Sequence, residues 1–323
     1  MNPSPSSSPS YNGTPIRSLE SLAKALGVTS HKMLNVSKNA NELYRPAKEK
    51  LKSDGTVRQT YDALPLLKNI QRRIKFNILD RVRFPTYLTG SIKGRDYKTN
   101  AELHQGAKIV ITEDIGSFFP STTDEHVFDI WRRFFGFSHE VAECLRALTS
   151  RHGVLPQGAT TSPQLANLVF WRNEPQLHDR LYAEGIIYSR FVDDVAASSR
   201  TLITPDKKRE IIAAIYGLML HEGYKPKRQK HELKTSRERM AVTTLTTNQK
   251  PGIAQTERAR IRAAVHHLEK SALIGQSDIG QSKEFRSVLG KVNNLSRFHS
   301  GEAKLLKVRL TRLLTLSHGM NNN

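Results

Sequence analysis

Apolar residues at Leu19, Leu22, Leu26 and Val28 recur near helical spacing, and Thr29 or Ser30 can cap a second helix through Met33 and Leu34. Residues 18–44 therefore read as a small helical module. Before it, residues 1–17 are rich in Ser, Pro, Asn and Gly, and are expected to form a loose tail, because too little apolar surface is available to offset ordering entropy. Lys52 to Arg58 carries an Asp54-Gly55 turn signal between short extended candidates, which predicts a basic hairpin. After Pro65, the positions Leu66, Leu67, Ile70, Ile74, Ile78 and Leu79 predict a helix that buries one face, with Lys68, Arg72, Arg73, Lys75 and Arg81 among its other positions. The β-branched run Lys108-Ile109-Val110-Ile111-Thr112 reads as a buried strand that delivers Glu113-Asp114 to its end. Helices are expected over about 124–135, 138–150 and 162–170, with a loop between Gly153 and Gly158. Two strands, from Ile186 to Val192 and from Val195 to Ser199, meet through Asp193-Asp194, which predicts a hairpin with paired carboxylates at its tip. A helix over about 205–222, a basic stretch from Lys225 to Arg239, a short strand from Met240 to Thr246 and a helical C-terminal third complete the pattern.

Charge changes the picture most. Fifty Lys and Arg against thirty Asp and Glu leave +20 formal charges, with a pI near 10.1, an excess that fits a polyanionic partner. From His221 onward there are 20 Lys and Arg against 8 Asp and Glu, so 12 of those 20 surplus charges sit in the last third. The single cysteine, Cys144, can build neither an intramolecular disulfide nor a cysteine-based zinc site, which suits a reducing cytosol. The first residues lack the basic-then-apolar order of a signal peptide, and no apolar run reaches the roughly 18 residues of a membrane span, so a cytoplasmic protein with no membrane partner is expected.

Adjacent aspartates repel unless a cation lies between them or one stays protonated. Asp114 adds a third carboxylate from a separate strand, and an all-oxygen donor set with open positions suits Mg²⁺. Two such ions can activate an attacking hydroxyl and stabilise a departing pyrophosphate. Taken alone, Asp193-Asp194 reads equally well as a turn, where Asp is common.

In series the boxes say more. Phe191-Val192-Asp193-Asp194 resembles the tyrosine-x-Asp-Asp box of reverse transcriptases, with Phe in place of Tyr. The stretch from Asp114 to Ser121 resembles their first palm box, and that from Leu155 to Pro163 their proline-glutamine-glycine box, in the same order. Two further stretches resemble the bacterial retron type: Asn100-Ala101-Glu102-Leu103-His104, and Val242-Thr243-Thr244-Leu245, where Thr244 stands in the place of an expected Gly. The resemblance covers about residues 45 to 250.

It implies an α+β right-hand polymerase with fingers (45–107), an antiparallel palm sheet (108–248, with a fingers insertion near 124–160) and a basic helical thumb (249–323). Asp114, Asp193 and Asp194, with the Ile115 carbonyl, would hold two Mg²⁺ ions. Phe119 would close the sugar pocket against ribose, Gln157 and Gly158 would line the nucleotide site, and Arg58 and Lys52 would grip the triphosphate. Lys230 fits the lysine of the fourth palm box, although Lys227 replaces an expected Asn and His231 an expected Thr. RNA contacts would come from Asn100, His104, Val242, Thr243 and Thr244, and thumb phosphate contacts from Arg258, Arg260, Arg262, Lys283, Arg286, Lys291 and Lys307. Read from its residues alone, His104 is a structural histidine, since no metal partner stands at recognisable spacing. The implied function is reverse transcription of a cognate structured noncoding RNA from dNTPs. Priming from an RNA 2′-hydroxyl would give branched RNA–DNA, acting with a separate effector protein in antiphage defence. The alternatives are another bacterial reverse transcriptase (group II intron, diversity-generating or abortive-infection type) or a non-catalytic RNA-binding protein on a polymerase scaffold.

Overall fold

A computed structural model describes residues 7–47, 49–51, 55, 57–273 and 282–320. Its centre is a four-stranded antiparallel sheet in the order Glu232–Thr235, Ile109–Asp114, Asp194–Ser199, Ile186–Phe191. The strand Ile109–Asp114 is central and almost wholly buried, because both faces of the sheet are covered. On one face Ile111, Val195 and Ala197 join the main core, packed with the helices Pro65–Asn77, His139–Thr149, Glu174–Ala183 and Pro205–His221. On the other face Val110 and Ala196 meet Ala107, Met240 and Val242 in a small separate core. The period of two along each strand thus divides one apolar run between two cores.

The C-terminal third folds as three helices, Gln255–Leu273, Lys283–Ser296 and Ser300–Met320. They enclose a core of their own from Ile261, Val265, Leu268, Phe285, Val288, Val292, Leu295, Leu306 and Leu310. This bundle meets the rest of the chain near Asp96-Tyr97. Arg297 pairs with Asp96, and the Tyr97 hydroxyl donates to Asn294.

Four elements depart from the pattern-based expectation. The tail is not loose throughout: Ser10–Tyr11 pair antiparallel with Val82–Arg83, and the Tyr11 ring packs edge-on against Phe135 at 4.7 Å. One aromatic contact buries enough area to hold a few otherwise polar residues, while residues 1–6 lie outside the described residues. The helix expected over 124–135 is α-helical only over Asp124–Asp129 and continues as a π-helical turn, Ile130–Phe134, beneath the stacked rings of Trp131, Phe135 and Phe137. Inside the basic stretch, Glu232–Thr235 forms the sheet's fourth strand, because its backbone satisfies the open edge of Ile109–Thr112. The single strand expected from Met240 to Thr246 is a hairpin, Ala241–Val242 against Leu245–Thr246.

That hairpin turns on Thr243 and Thr244, at φ +46° and +75°. Both turn residues take positive φ, the requirement of the tight type I′ hairpin, which Asn-Gly meets best and a β-branched residue meets poorly. Thr244→Gly should therefore raise the unfolding free energy by about 1 kcal/mol, read from urea denaturation. No gain, or a loss, would mean that the Thr244 side chain makes compensating contacts.

Candidate active site

The antiparallel register sets Asp114 directly opposite Asp194, with Phe191 as the neighbour on Asp194's other side. The hairpin tip is Val192-Asp193, so Asp193 stands in the turn and Asp194 opens the returning strand. The Ile115 N–H donates to the Asp193 carbonyl at 3.0 Å, which ties the end of the central strand to that tip.

The tip is over-determined from below. Val192 takes φ +60°, unusual for a β-branched residue. Arg190, fully buried, donates from Nη1 to the Val192 carbonyl at 3.1 Å. The same guanidinium is held by Glu174, with Nε to Oε1 at 2.6 Å and Nη2 to Oε2 at 2.8 Å, and Tyr188 donates its hydroxyl to Glu174 at 2.8 Å. Burial works against the Arg190 charge, yet the adjoining Glu174 carboxylate outweighs it and holds its pKa above the ordinary arginine value. Beside the tip, Gly90 must be glycine: a Cβ there would lie 2.6 Å from the Val192 nitrogen. Asn167 donates to the Gly90 carbonyl at 2.8 Å.

Crowding by protein and the neighbouring charges of Asp193 and Asp114 push the Asp194 carboxyl up to about 6, although the residue keeps solvent on one side. Lys230 answers with its ammonium on Asp114 Oδ2. Partial burial opposes that lysine's charge, but its hydrogen bond to Asp114 and the attraction of the three aspartates raise its pKa overall. Among the described residues no three acidic, His or Cys side chains form a ready-made metal cage. The donor set nevertheless suits a hard divalent cation, since three carboxylates are gathered close enough to repel one another, with the Lys230 ammonium against Asp114.

A cleft of about 880 Å³ opens beside Asp114 and Asp193. Its lining includes Phe119 and Gln157 together with Lys225, Lys227, Arg228 and Lys230. Phe118 is buried against Phe170 and Tyr224, and so anchors the short turn that presents half-buried Phe119 to the cleft. The cationic wall is pinned by its backbone: Lys227 N–H donates to the Asp114 carbonyl at 2.7 Å, and Gly116 N–H to the Lys225 carbonyl at 2.8 Å. A further cleft is lined by Tyr97, Phe191, Asp194, Thr243, Thr244 and Asn294.

Several expected contacts move. Gly158 is exposed, and at φ +109° an added Cβ would lie within 2.6 Å of the Tyr61 carbonyl, where Tyr61 N–H donates to the Gln157 carbonyl at 2.8 Å. It therefore lets the segment carrying Tyr61 lean on the loop. Asn100, His104 and Val242 are buried and have no face to offer RNA. His104 spans Ser198 and Ser189, each at 2.7 Å, and its burial drives its pKa down to about 3, so it stays neutral. Asn100 accepts from Thr89 at 2.8 Å and lies under the Thr243 turn. Arg258 and Arg262 share Glu302, which closes the helical bundle on itself and draws on both guanidiniums. Lys52 and the side chain of Arg58 lie outside the described residues; the Arg58 backbone pairs with Lys50. Sequence reasoning missed Lys225, Lys227 and Arg228 as cleft residues, and it missed Glu174. An arginine in the middle of an apolar strand was the available signal, because a buried charge requires a partner.

The pattern of the reverse transcriptase (RNA-dependent DNA polymerase) family matches residues 50–260. The chain is 29% identical over 310 residues to the retron Se72 reverse transcriptase of Salmonella heidelberg (strain 579083-10), covering 95% of this chain and 82% of that one. The chain is a reverse transcriptase of the retron type. This reverse transcriptase is likewise 30% identical over 304 residues to the retron Ec48 reverse transcriptase of Escherichia coli, covering 89% of this chain and 74% of that one. With the retron Ec86 reverse transcriptase of the same species it shares 28% identity over 259 residues, 79% and 80% of the two chains. Its activity is RNA-directed DNA polymerisation, and the family match spans every box that brings a carboxylate to the sheet. Among the described residues of the retron-type enzyme, no helix is long and apolar enough to cross a membrane.

Proposed function

We propose that the enzyme is built as a right hand, with fingers over 45–107, a palm over 108–248 and a thumb over 249–323, and that it copies one cognate structured noncoding RNA into DNA. The observation that carries the reading is the pairing of Asp114 with Asp194, with Asp193 at the adjoining tip, beside a cleft walled by cations and Phe119. Asp114, Asp193 and Asp194 would hold two Mg²⁺ ions, aided by the Ile115 carbonyl. Bound there, such ions lower the pKa of the attacking hydroxyl and offset charge on the departing pyrophosphate.

The chain's own groups do the rest. Lys225, Lys227 and Arg228 face the polyphosphate, Arg58 and Lys52 would grip it too as the family resemblance implies, and Gln157 offers its amide to the nucleotide. As the new phosphodiester bond forms and the bond to pyrophosphate breaks, the attacking hydroxyl gives its proton to solvent, and Lys230 hands a proton to the departing oxygen and regains one from solvent. Thr243 and Thr244 adjoin the second cleft, on the side from which an in-line attacking strand must come. Arg258, Arg262, Arg286 and Lys291 contribute to phosphate contacts along the template–product duplex.

Phe119 packs against C2′ of the incoming sugar. Phe119→Ala should lower the preference for dNTPs over ribonucleotides about 10- to 100-fold, measured by single-nucleotide addition on a primed RNA template. An unchanged preference would take the gate away from Phe119.

Synthesis starts from an RNA 2′-hydroxyl, and the branched RNA–DNA product acts with a separate effector protein in antiphage defence. Recovery of the protein from its host with bound nucleic acid tests this. A DNase-sensitive species covalently joined to RNA is expected, and it should be absent from an Asp193→Asn control. Recovery of unbranched RNA alone from the active enzyme would remove the 2′-primed reading.

A further inference from the structure

The sheet edge that brings Lys230 to Asp114 also brings His231 to Glu113. Where the pairing ends at Glu232 opposite Thr112, the 3₁₀ turn Arg228–Lys230 and its cap His231 bring Lys230 to Asp114 and His231 to Glu113, consecutive residues of the central strand. Successive strand residues point to opposite faces. Lys230 therefore meets Asp114 on the cleft side, and His231 meets Glu113 on the side of the main core.

Glu113 is only 2% exposed, and its two carboxylate oxygens are each taken. Oε1 accepts from His231 Nδ1 at 2.6 Å, and Oε2 accepts from the Tyr216 hydroxyl at 2.9 Å. Tyr216 belongs to the helix Pro205–His221, so the buried carboxylate joins that helix to the turn Arg228–Lys230. A buried carboxylate is costly unless fully paired, and the best-attested use of such pairing is to specify one arrangement over its neighbours. Lys230 itself is solvent-exposed on a short 3₁₀ turn, and its own long side chain does not restrict where that turn sits.

We propose that His231 is a positioning residue for Lys230: by locking onto buried Glu113 from the core face, it sets the turn so that the Lys230 ammonium stands over Asp114 in the cleft. The inference rests on the reading of Lys230 as proton donor to pyrophosphate. A displaced donor slows the chemical step and leaves nucleotide binding almost unchanged, which separates positioning from loss of the pocket.

Single dTTP addition on a DNA-primed RNA template reads both parameters. His231→Ala should lower kcat about 10-fold with KM within about twofold, and Lys230→Ala should lower kcat about 100-fold. His231→Asn keeps an N–H close to the position of Nδ1 and should recover kcat to within about threefold of the parent. In a Lys230→Ala background His231→Ala should cost nothing further, because the two act as one unit. Tyr216→Phe removes the other partner of Glu113 and should leave kcat within about twofold, which separates positioning from general loss of the buried network. Additive losses in the double variant, or an Asn variant as slow as Ala, would overturn the positioning role. A Lys230→Ala variant at the parental rate would instead remove the proton-donor role, and the inference with it.

Discussion

Asp193→Asn should lower DNA synthesis by about 1000-fold or more while leaving RNA affinity unchanged. The carboxylate stands at the tip of the hairpin, beside Asp114 and the cleft. Asparagine keeps the shape, and the turn's bond from the Ile115 N–H to the residue-193 carbonyl is a backbone bond that survives the change. What is lost is one negative charge of the proposed donor set, which a divalent cation needs and a neutral amide supplies poorly. RNA affinity comes from phosphate contacts spread over a chain of +20 charge, so removing one carboxylate does not weaken it. Primer extension with Mg²⁺ and filter binding of RNA, run on the same preparation, check both halves. Extension within tenfold of the parent would remove Asp193 from the metal-binding set.

The second large effect is on stability. Glu174→Ala should cost about 3–5 kcal/mol of unfolding free energy, because it leaves Arg190 charged and buried without its partner. The pair is fully enclosed, with Arg190 at 0% and Glu174 at 1% side-chain exposure, so solvent screening does not soften the loss. The guanidinium would have left only the carbonyls of Asn167 and Val192 and the face of Phe170, 5.1 Å away. Urea unfolding followed by circular dichroism gives the number, and a loss below about 1 kcal/mol would mean that the site relaxes to let water reach Arg190. A paired replacement, Glu174→Leu with Arg190→Met, should regain much of the stability. It should remain impaired in synthesis, because the bond that props the Val192 carbonyl at the hairpin tip carrying Asp193 is absent. Recovery of full activity in that double variant would show that the tip needs no support from Arg190.

Much of this molecule was legible in one dimension. Alternation and β-branching placed the central strand and the Asp193-Asp194 hairpin within a residue or two, since local periodicity responds to burial of a strand's own faces. Helices that open on a proline and carry a clear apolar stripe, such as Pro65–Asn77 and Pro205–His221, also stood where their pattern set them. The chemistry was legible through the resemblance of the boxes, in their order, to those of reverse transcriptases.

Contacts between distant segments were decided by the tertiary structure alone. No local signal told the basic stretch that Glu232–Thr235 would complete a sheet begun more than a hundred residues earlier, or that a Tyr11 ring would fasten the start of the chain to Phe135. Asn100, His104 and Val242 carry polar or motif character in sequence, yet folding buried all three, and Gly158 answers to the Tyr61 backbone. Burial and hydrogen-bond partners belong to pairs of segments, so a single chain of letters specifies them only through the fold. Sequence determined which carboxylates and cations this reverse transcriptase possesses; the antiparallel register decided that Asp114 faces Asp194 on the cleft side while Glu113, one residue earlier, turns to the core and meets His231.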